Sequence, residues 1–343
     1  MSTPPASRQP TIAVAVDSDG GVDDIAALWY ALTCPDIRIV AITSTGGNVD
    51  ATTAAGNLAR VTHLAGAPGI PIAVGAAGAH GRHPLLKRAN GIHGDDGIGN
   101  TGRTAPAWTP SPLSATDLLA DSIVRFPGEL TLVTLGPLTN IARLVEDHPD
   151  VIPLVDQLVV MGGTVTFQGN ALPVGEANIA HDPAAAAVVA TAAWARPPLL
   201  VPLDATLRAT LGPAEYAALE RRTTAAAQDL ADPLAFYRAL GGTFSPEGES
   251  PCHDLTAMVV ALEPELVDAP VLPLGVDTGE GLAWGSTVVD RRIPFFEAAG
   301  ADTRQAIPDG MAPWRVALDI DVEATRARYR RLFDGWPQPT TRA

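Results

Sequence analysis

Cysteine is scarce in this chain: Cys34 and Cys252 are the only two among 343 residues. That excludes a disulfide scaffold and points to a reducing, cytoplasmic setting. Long apolar runs are also missing, and none approaches the length of a membrane-spanning helix. The first ten residues carry Pro, Ser and Gln without the apolar core of a secretory signal, so residues 1–10 read as a loose, disordered tail. Positive charge is short as well. Lys and Arg number 23 against 38 Asp and Glu, a net charge of −15. Nucleic acid and anionic membrane need a basic surface, and both drop out as partners. Neutral or cationic small molecules remain. No internal repeat, low-complexity tract or linker divides the chain, so residues 11–343 read as one domain.

What is present is alternation. Short apolar runs at 11–16, 37–42, 70–74, 130–135, 158–161 and 199–201 read as buried strands. Helical patterns fall between them, near 52–65, 115–126 and from Asp182-Pro183 onward, where Asp suits the N-cap and Pro the first turn. Such alternation implies right-handed crossovers and a mostly parallel, open, Rossmann-like α/β sheet with helices on both faces. After residue 205 the pattern turns mainly helical, near 213–222, 226–241 and 254–263, with a last helix at 322–332. Segments 271–276, 284–289 and 315–321 read as edge strands. Two stretches show no period: 76–112, long enough to serve as a lid, and the segment from Gly162 to Asn178.

Polar clusters recur at the carboxyl ends of these strands, where folds of this class bind ligands. The densest is Asp17-Ser18-Asp19-Gly20-Gly21-Val22-Asp23-Asp24, four carboxylates within eight residues. Asp23 and Asp24 open a helix, whose dipole favours each by roughly 0.3–1 kcal/mol. That does not offset the repulsion among four crowded carboxylates. A hard cation would, and oxygen-rich clusters select Ca²⁺ or Mg²⁺. Adjacent Asp23 and Asp24 diverge by roughly 100° about the helix axis, so they can take different jobs at one ion.

The octad resembles the aspartate signature of the nucleoside hydrolases, Asp-x-Asp-Pro-Gly-x-Asp-Asp. Four more clusters follow in the family's order: Gly47-Asn48, then Leu135 to Asn140, then Gly169-Asn170 with Glu176-Ala177-Asn178 and Asp182-Pro183, then Cys252-His253-Asp254. The last is similar to the His-Asp pair of the inosine–uridine-preferring branch. The resemblance spans roughly residues 11–335. It implies hydrolysis of the N-glycosidic bond of purine or pyrimidine ribonucleosides to free base and ribose, with one Ca²⁺. Position by position, it implies that Asp19, Asp24, Asp254 and the Leu135 carbonyl ligate calcium. Asp23 would be the general base toward the attacking water. Asn48, Asn170, Glu176 and Asn178 would hold the ribose, His253 would help protonate the departing base, and Asp17 would support the loop from behind. His93 would touch substrate when the lid closes. A homodimer or homotetramer is also implied. Two departures stand out: Gly20 replaces the usual Pro, which should loosen the turn, and Ala177 stands where Phe is usual, which should widen the pocket beside the sugar.

These roles suit the chemistry. Glycosidic cleavage develops positive charge on the sugar, and groups that stabilise it more than the neutral substrate accelerate the reaction. Plainer readings sit beside them. Asn48 and Asn178 suit turns, Glu176 a solvated loop, and His253 a helix start. Asn140 reads as structural, Asp182 as an N-cap, Asp204 as a loop brace and Cys252 as a packing residue. His80, His83 and His93 have no zinc-site spacing. A different class also fits the opening motif, since Asp17-Ser18-Asp19-Gly20 is similar to the nucleophile motif of haloacid-dehalogenase-type, Mg²⁺-dependent phosphatases. That reading leaves Asp23-Asp24 and His253-Asp254 unexplained. A third reading is a non-catalytic nucleoside-binding protein.

Overall fold

The computed structural model describes residues 12–79, 90–221, 225–239, 245–246, 248–292 and 307–334. The tail at 1–10, His80 and His83 lie outside the described residues. The first strand, β1 (Ile12–Ser18), alternates its side chains between two cores. Val14 and Val16 pack on one face of the sheet, Ala13 and Ala15 on the other. The strand runs two residues past the apolar stretch, so Asp17 and Ser18 belong to it rather than to the turn.

The chain then builds α1 (Val22–Thr33), β2 (Ile37–Ser44), α2 (Ala51–Leu64), β3 (Ile72–Val74), α3 (Asn90–His93), α4 (Ala115–Arg125), β4 (Leu130–Thr134), α5 (Thr139–Asp147) and β5 (Gln157–Met161). Next come α6 (Ala177–His181), α7 (Pro183–Ala190), β6 (Leu199–Val201), α8 (Leu203–Thr206), β7 (Thr210–Leu211), α9 (Pro213–Glu220), α10 (Ala225–Ala239), β8 (Ser250–Pro251) and α11 (His253–Leu262). The remainder is β9 (Val267–Asp268), β10 (Val271–Val276), β11 (Thr287–Val289), β12 (Ala312–Val316), β13 (Asp319–Ile320) and α12 (Val322–Asp334). Among the described residues no helix is long and apolar enough to cross a membrane.

Nine strands form the central sheet in the order β11-β10-β12-β6-β5-β4-β1-β2-β3. From β3 to β12 neighbouring strands are parallel, and β10 then pairs antiparallel with β12 and with β11. This is the expected single α/β domain with a mostly parallel sheet. Three expectations need correction. The segment at 271–276 is a strand, β10, but not an edge one, because β11 and β12 flank it. The strand near 315–321 is not at an edge either: it spans Ala312–Val316 and sits between β6 and β10. The stretch ending at Asn178 is not all irregular, because α6 starts at Ala177 under a cap from the Glu176 carboxylate.

Helices α4, α5 and α7 cover one face, with Leu119, Ile123, Ile141 and Val189 buried there. On the other face α1 packs against α11, and Leu28, Leu255 and Val259 are fully buried. Burial of each such side chain stabilises the fold by about 1.5–3 kcal/mol. The α1–α11 packing also sets the site, because both helices begin at the same end of the sheet.

Candidate active site

Two glycines, one in the turn between β1 and α1 and one in the loop after β2, shape the floor of the site, and no other residue could replace them cheaply. Gly20 has φ +66°, and a Cβ there would lie 2.5 Å from Ala54 Cα. Proline cannot take that φ, so Gly20 is a requirement of this turn rather than a slack point in it. At Gly47 a Cβ would meet Asp19 Oδ2 at 2.0 Å. That close approach lets the 47–48 segment clasp Asp19. The Asn48 backbone N–H donates to Asp19 Oδ2 at 2.8 Å, and its Nδ2 donates to Asp19 Oδ1 at 2.9 Å.

Asp24 is held on three sides. Ser18 Oγ donates to its Oδ1 at 2.5 Å, Gly21 N–H to its Oδ2 at 2.8 Å, and Asn48 Nδ2 reaches Oδ2 at 3.4 Å. Behind them Asp17 accepts from Thr43 Oγ1 at 2.5 Å and Asn140 Nδ2 at 2.7 Å. Asn140 also takes the Ala76 N–H and donates to Ser44 O, tying three loops together. It is structural, as read from the sequence. Asp17 does not line the pocket, which leaves it unsuited to be a phosphatase nucleophile.

The start of α11 arrives from across the molecule. Asp254 N–H donates to Asp23 Oδ2 at 3.3 Å, over a separation of 231 residues. Asp23, Asp24 and Asp254 are all buried and each offers a carboxylate oxygen within 4.8 Å of the other two. Two helix N-termini therefore face one spot, and their dipoles favour negative charge there. Burial, and after it the neighbouring carboxylates, still pushes the acids up. Asp23 rises to about 7, through burial and then Asp24. Asp19 and Asp254 rise well above the usual carboxylate range for the same reasons. Asp17, where burial dominates, rises to about 7. No Lys or Arg lines the pocket among the described residues. Clustered carboxylates without a basic partner, held by rigid hydrogen bonds, fit a hard divalent cation.

Above this floor lies a cavity of about 380 Å³, ample for a small ligand. Asn48, Leu135, Asn178 and Met161 flank the floor. One wall is α6 and the segment before it, with Asn170, Ala171, Glu176, Ala177 and His181. The Glu176 carboxylate is buried and accepts from the N–H groups of Gly163, Asn178 and Ile179. Burial raises its pKa while those donors oppose the rise. Asn170 Oδ1 accepts from Ala177 N–H at 2.9 Å. Asn178 Nδ2 donates to the Leu135 and Met161 carbonyls at 3.0 and 3.2 Å.

The opposite wall carries Ile92, His93, Leu207, Tyr237, Ser250 and His253. His93 Nδ1 accepts from Val22 N–H at 3.1 Å, and its ring lies 5.4 Å from that of Tyr237. His253 Nδ1 lies 2.7 Å from Thr206 Oγ1. Burial lowers both imidazoles to about 4, so they are neutral near pH 7. Cys252 is fully buried with its thiol pushed up, a packing residue. Asp182 caps α7 through Ala185 N–H, and Asp204 braces the Val165–Thr166 turn, both as read from the sequence.

The structure thus brings Asp23, Asn48, Leu135, Asn170, Glu176, Asn178, His93, His253 and Asp254 to one cavity. Asp24 completes the carboxylate triad beneath it, Asp19 lies outside that triad but is tied to it through Asn48, and Asp17 lies behind. Sequence reasoning missed Ser18, Thr206, His181 and Tyr237. Ser18 and His181 were findable, one as the hydroxyl between two signature aspartates and the other between Asn178 and Asp182 of a quoted cluster; Thr206 and Tyr237 lie in segments without a motif.

Comparison with known proteins agrees with this picture. The model of the inosine-uridine preferring nucleoside hydrolase family matches residues 14–327. A pyrimidine-specific ribonucleoside hydrolase, RihA, of Photobacterium profundum is 33% identical over 280 residues, 81% of this chain and 88% of that protein. A solved plant nucleoside hydrolase superposes with a TM-score of 0.85 at 29% identity, covering 94% of this chain and 99% of that one. A purine-preferring ribonucleoside hydrolase from Gardnerella vaginalis gives a TM-score of 0.81 at 30% identity, covering 94% and 98%.

Proposed function

The chain belongs to the inosine-uridine preferring nucleoside hydrolase family, and on that footing we propose that it is a calcium-dependent enzyme that hydrolyses the N-glycosidic bond of purine or pyrimidine ribonucleosides. The observation that carries this reading is the meeting of two helix N-termini, which sets three carboxylates and an imidazole around one cavity. Asp24 and Asp254, with Asp19 and the Leu135 carbonyl, would hold the ion. Calcium bound there supplies charge that draws water and the ribose hydroxyls together.

The chain's own groups do the rest. Asp23, a buried carboxylate that lines the cavity beside Asp24 and Asp254, would accept a proton from the attacking water. Asn48, Asn170, Glu176 and Asn178 orient the ribose and surround it with amide and carboxylate oxygen, which favours the charge that develops on the sugar. His253 faces the cavity and donates a hydrogen bond to the departing base, while His93 closes over the base from α3. Asp17 holds the floor from behind. Residues 11–343 act as one catalytic domain, in the cytoplasm, as a homodimer or homotetramer. Family resemblance supports the assembly, and cysteine scarcity the compartment.

A panel of nucleosides assayed for free base and ribose, with and without calcium, tests the reading. Release of both products that is lost on chelation and regained with calcium is expected. Activity that survives exhaustive chelation would overturn the calcium requirement, and its absence on every nucleoside would overturn the catalytic one.

A further inference from the structure

The His253 ring has two nitrogens, and only one can carry the proton in the neutral form. Nδ1 is 2.7 Å from Thr206 Oγ1, and Thr206 is fully buried. Either group can donate in principle. If Nδ1–H donated, the Thr206 hydroxyl proton would need another acceptor, and no other side-chain bond to Thr206 is found among the described residues. A buried hydroxyl left without an acceptor is disfavoured. If Thr206 O–H donates to Nδ1, both groups are satisfied and the imidazole proton sits on Nε2. His93 shows the same arrangement without ambiguity, because its Nδ1 accepts from a backbone N–H, that of Val22. Both histidines of this wall then keep Nε2–H for the cavity that they line.

From this geometry we propose that Thr206 is a positioning residue for base departure: it fixes the His253 tautomer so that Nε2–H donates a hydrogen bond to the leaving base. The support for Thr206 is firm. It ends α8, whose first residue donates its N–H to Gly163 O at 3.0 Å. Asp204, on the same helical turn, holds the N–H groups of Val165 and Thr166 at 2.7 and 2.8 Å. One short helix thereby fixes the donor of the base-facing wall relative to the segment that leads into the sugar-facing wall. With Val at 206 the ring would be free to put its proton on Nδ1 and offer the base a lone pair.

This inference rests on the hydrolase reading and on the assignment of His253. Its test pairs a natural nucleoside, uridine or inosine, with p-nitrophenyl β-ribofuranoside, whose phenolate departs without help from a donor. For Thr206→Val, kcat on the nucleoside is expected to fall roughly 10- to 100-fold, a part of what a full general acid contributes, while the riboside rate changes by less than about threefold. Thr206→Ser restores the nucleoside rate, and ¹⁵N resonances of the His253 ring, identified by their loss in His253→Ala, shift in Thr206→Val. Equal loss on both substrates, or no loss on either, overturns the proposal. A His253→Ala variant that slows both substrates alike overturns the His253 assignment itself, and a wild-type protein inactive on both overturns the hydrolase reading. Selective loss in His253→Ala without it in Thr206→Val sinks the role of Thr206 alone.

Discussion

The carboxylate floor of the cavity is buried and the histidine wall is buried at His93 and partly so at His253, yet burial moves their charges in opposite directions. On the floor, Asp19, Asp23 and Asp254 are pushed up. On the wall, His93 and His253 are pushed down to about 4. Both shifts express one fact, that burial in protein disfavours any charge that stands alone. The difference lies in what each side is prepared for. The floor is bound by short hydrogen bonds from backbone and side chain, and among the described residues no Lys or Arg lines the cavity, so the floor suits a cation. The wall keeps neutral imidazoles beside Tyr237, a surface against which a heterocyclic base can lie and to which it can hydrogen-bond. Opposed environments for titratable groups in one cavity are how acid and base roles are kept apart.

The largest effect should come from dismantling the floor. Asp254→Ala removes the carboxylate that α11 contributes, and we expect calcium binding by calorimetry to be lost. Nucleoside turnover should fall on the order of 10³-fold or more, as several kcal/mol of transition-state stabilisation would predict. Retained calcium affinity would show that the floor does not depend on the meeting of the two helices. Next, Asp23→Asn should lower kcat by roughly 10²–10⁴, yet leave most of the calcium-induced rise in melting temperature. If that rise vanishes too, Asp23 is a ligand rather than the base, an outcome that its place within the carboxylate triad makes worth measuring.

Acidity sets floor and wall against each other more finely. The folded pKa of Asp23 lies above its unfolded value of 3.8, near 7, so its contribution to stability is present below pH 4 and lost as pH rises toward 7. For His93 and His253 the folded value lies below 6.5, near 4, so theirs is present above pH 6.5 and lost as pH falls toward 4. In metal-depleted protein the two trends oppose each other between pH 4 and 7. Calcium needs the ionised carboxylates, so the rise in melting temperature that it produces should be small near pH 4.5 and grow steadily to pH 7.5. A pH-independent rise would mean that the floor is already ionised when empty. The smallest effect concerns the sugar-facing wall. Ala177→Phe should lower kcat/KM for a 5′-O-methyl nucleoside relative to its parent by about tenfold, a loss of the size set by pocket shape. An unchanged ratio would place the 5′ group elsewhere.

Legibility followed the range of the interactions. The β1–α1 turn was readable because its strand, glycines and helix-opening aspartates are neighbours in sequence, and each obeys a local rule. The parallel sheet was readable from the same periodicities. α6 escaped because Glu caps a helix less often than Ser, Thr, Asp or Asn, and because five residues carry little period. β12 passed for an edge strand because pairing partners are chosen by the whole sheet. Tyr237 sits in a segment whose sequence marks a helix and nothing more, and Thr206 in a stretch read as a loop around Asp204; what gives them a place at the cavity is packing against elements far along the chain.

The position of β12 bears on how the protein is made. Residues 312–316 fill the slot between β6 and β10, so both of those strands present unpaired edges until that segment has left the ribosome. The sheet cannot finish from one end to the other as it is synthesised, and its last parallel pairing bridges more than 100 residues, which slows folding. A nascent chain stalled before residue 312 would be a sticky species in need of a chaperone, even though its floor aspartates and both histidines had already emerged.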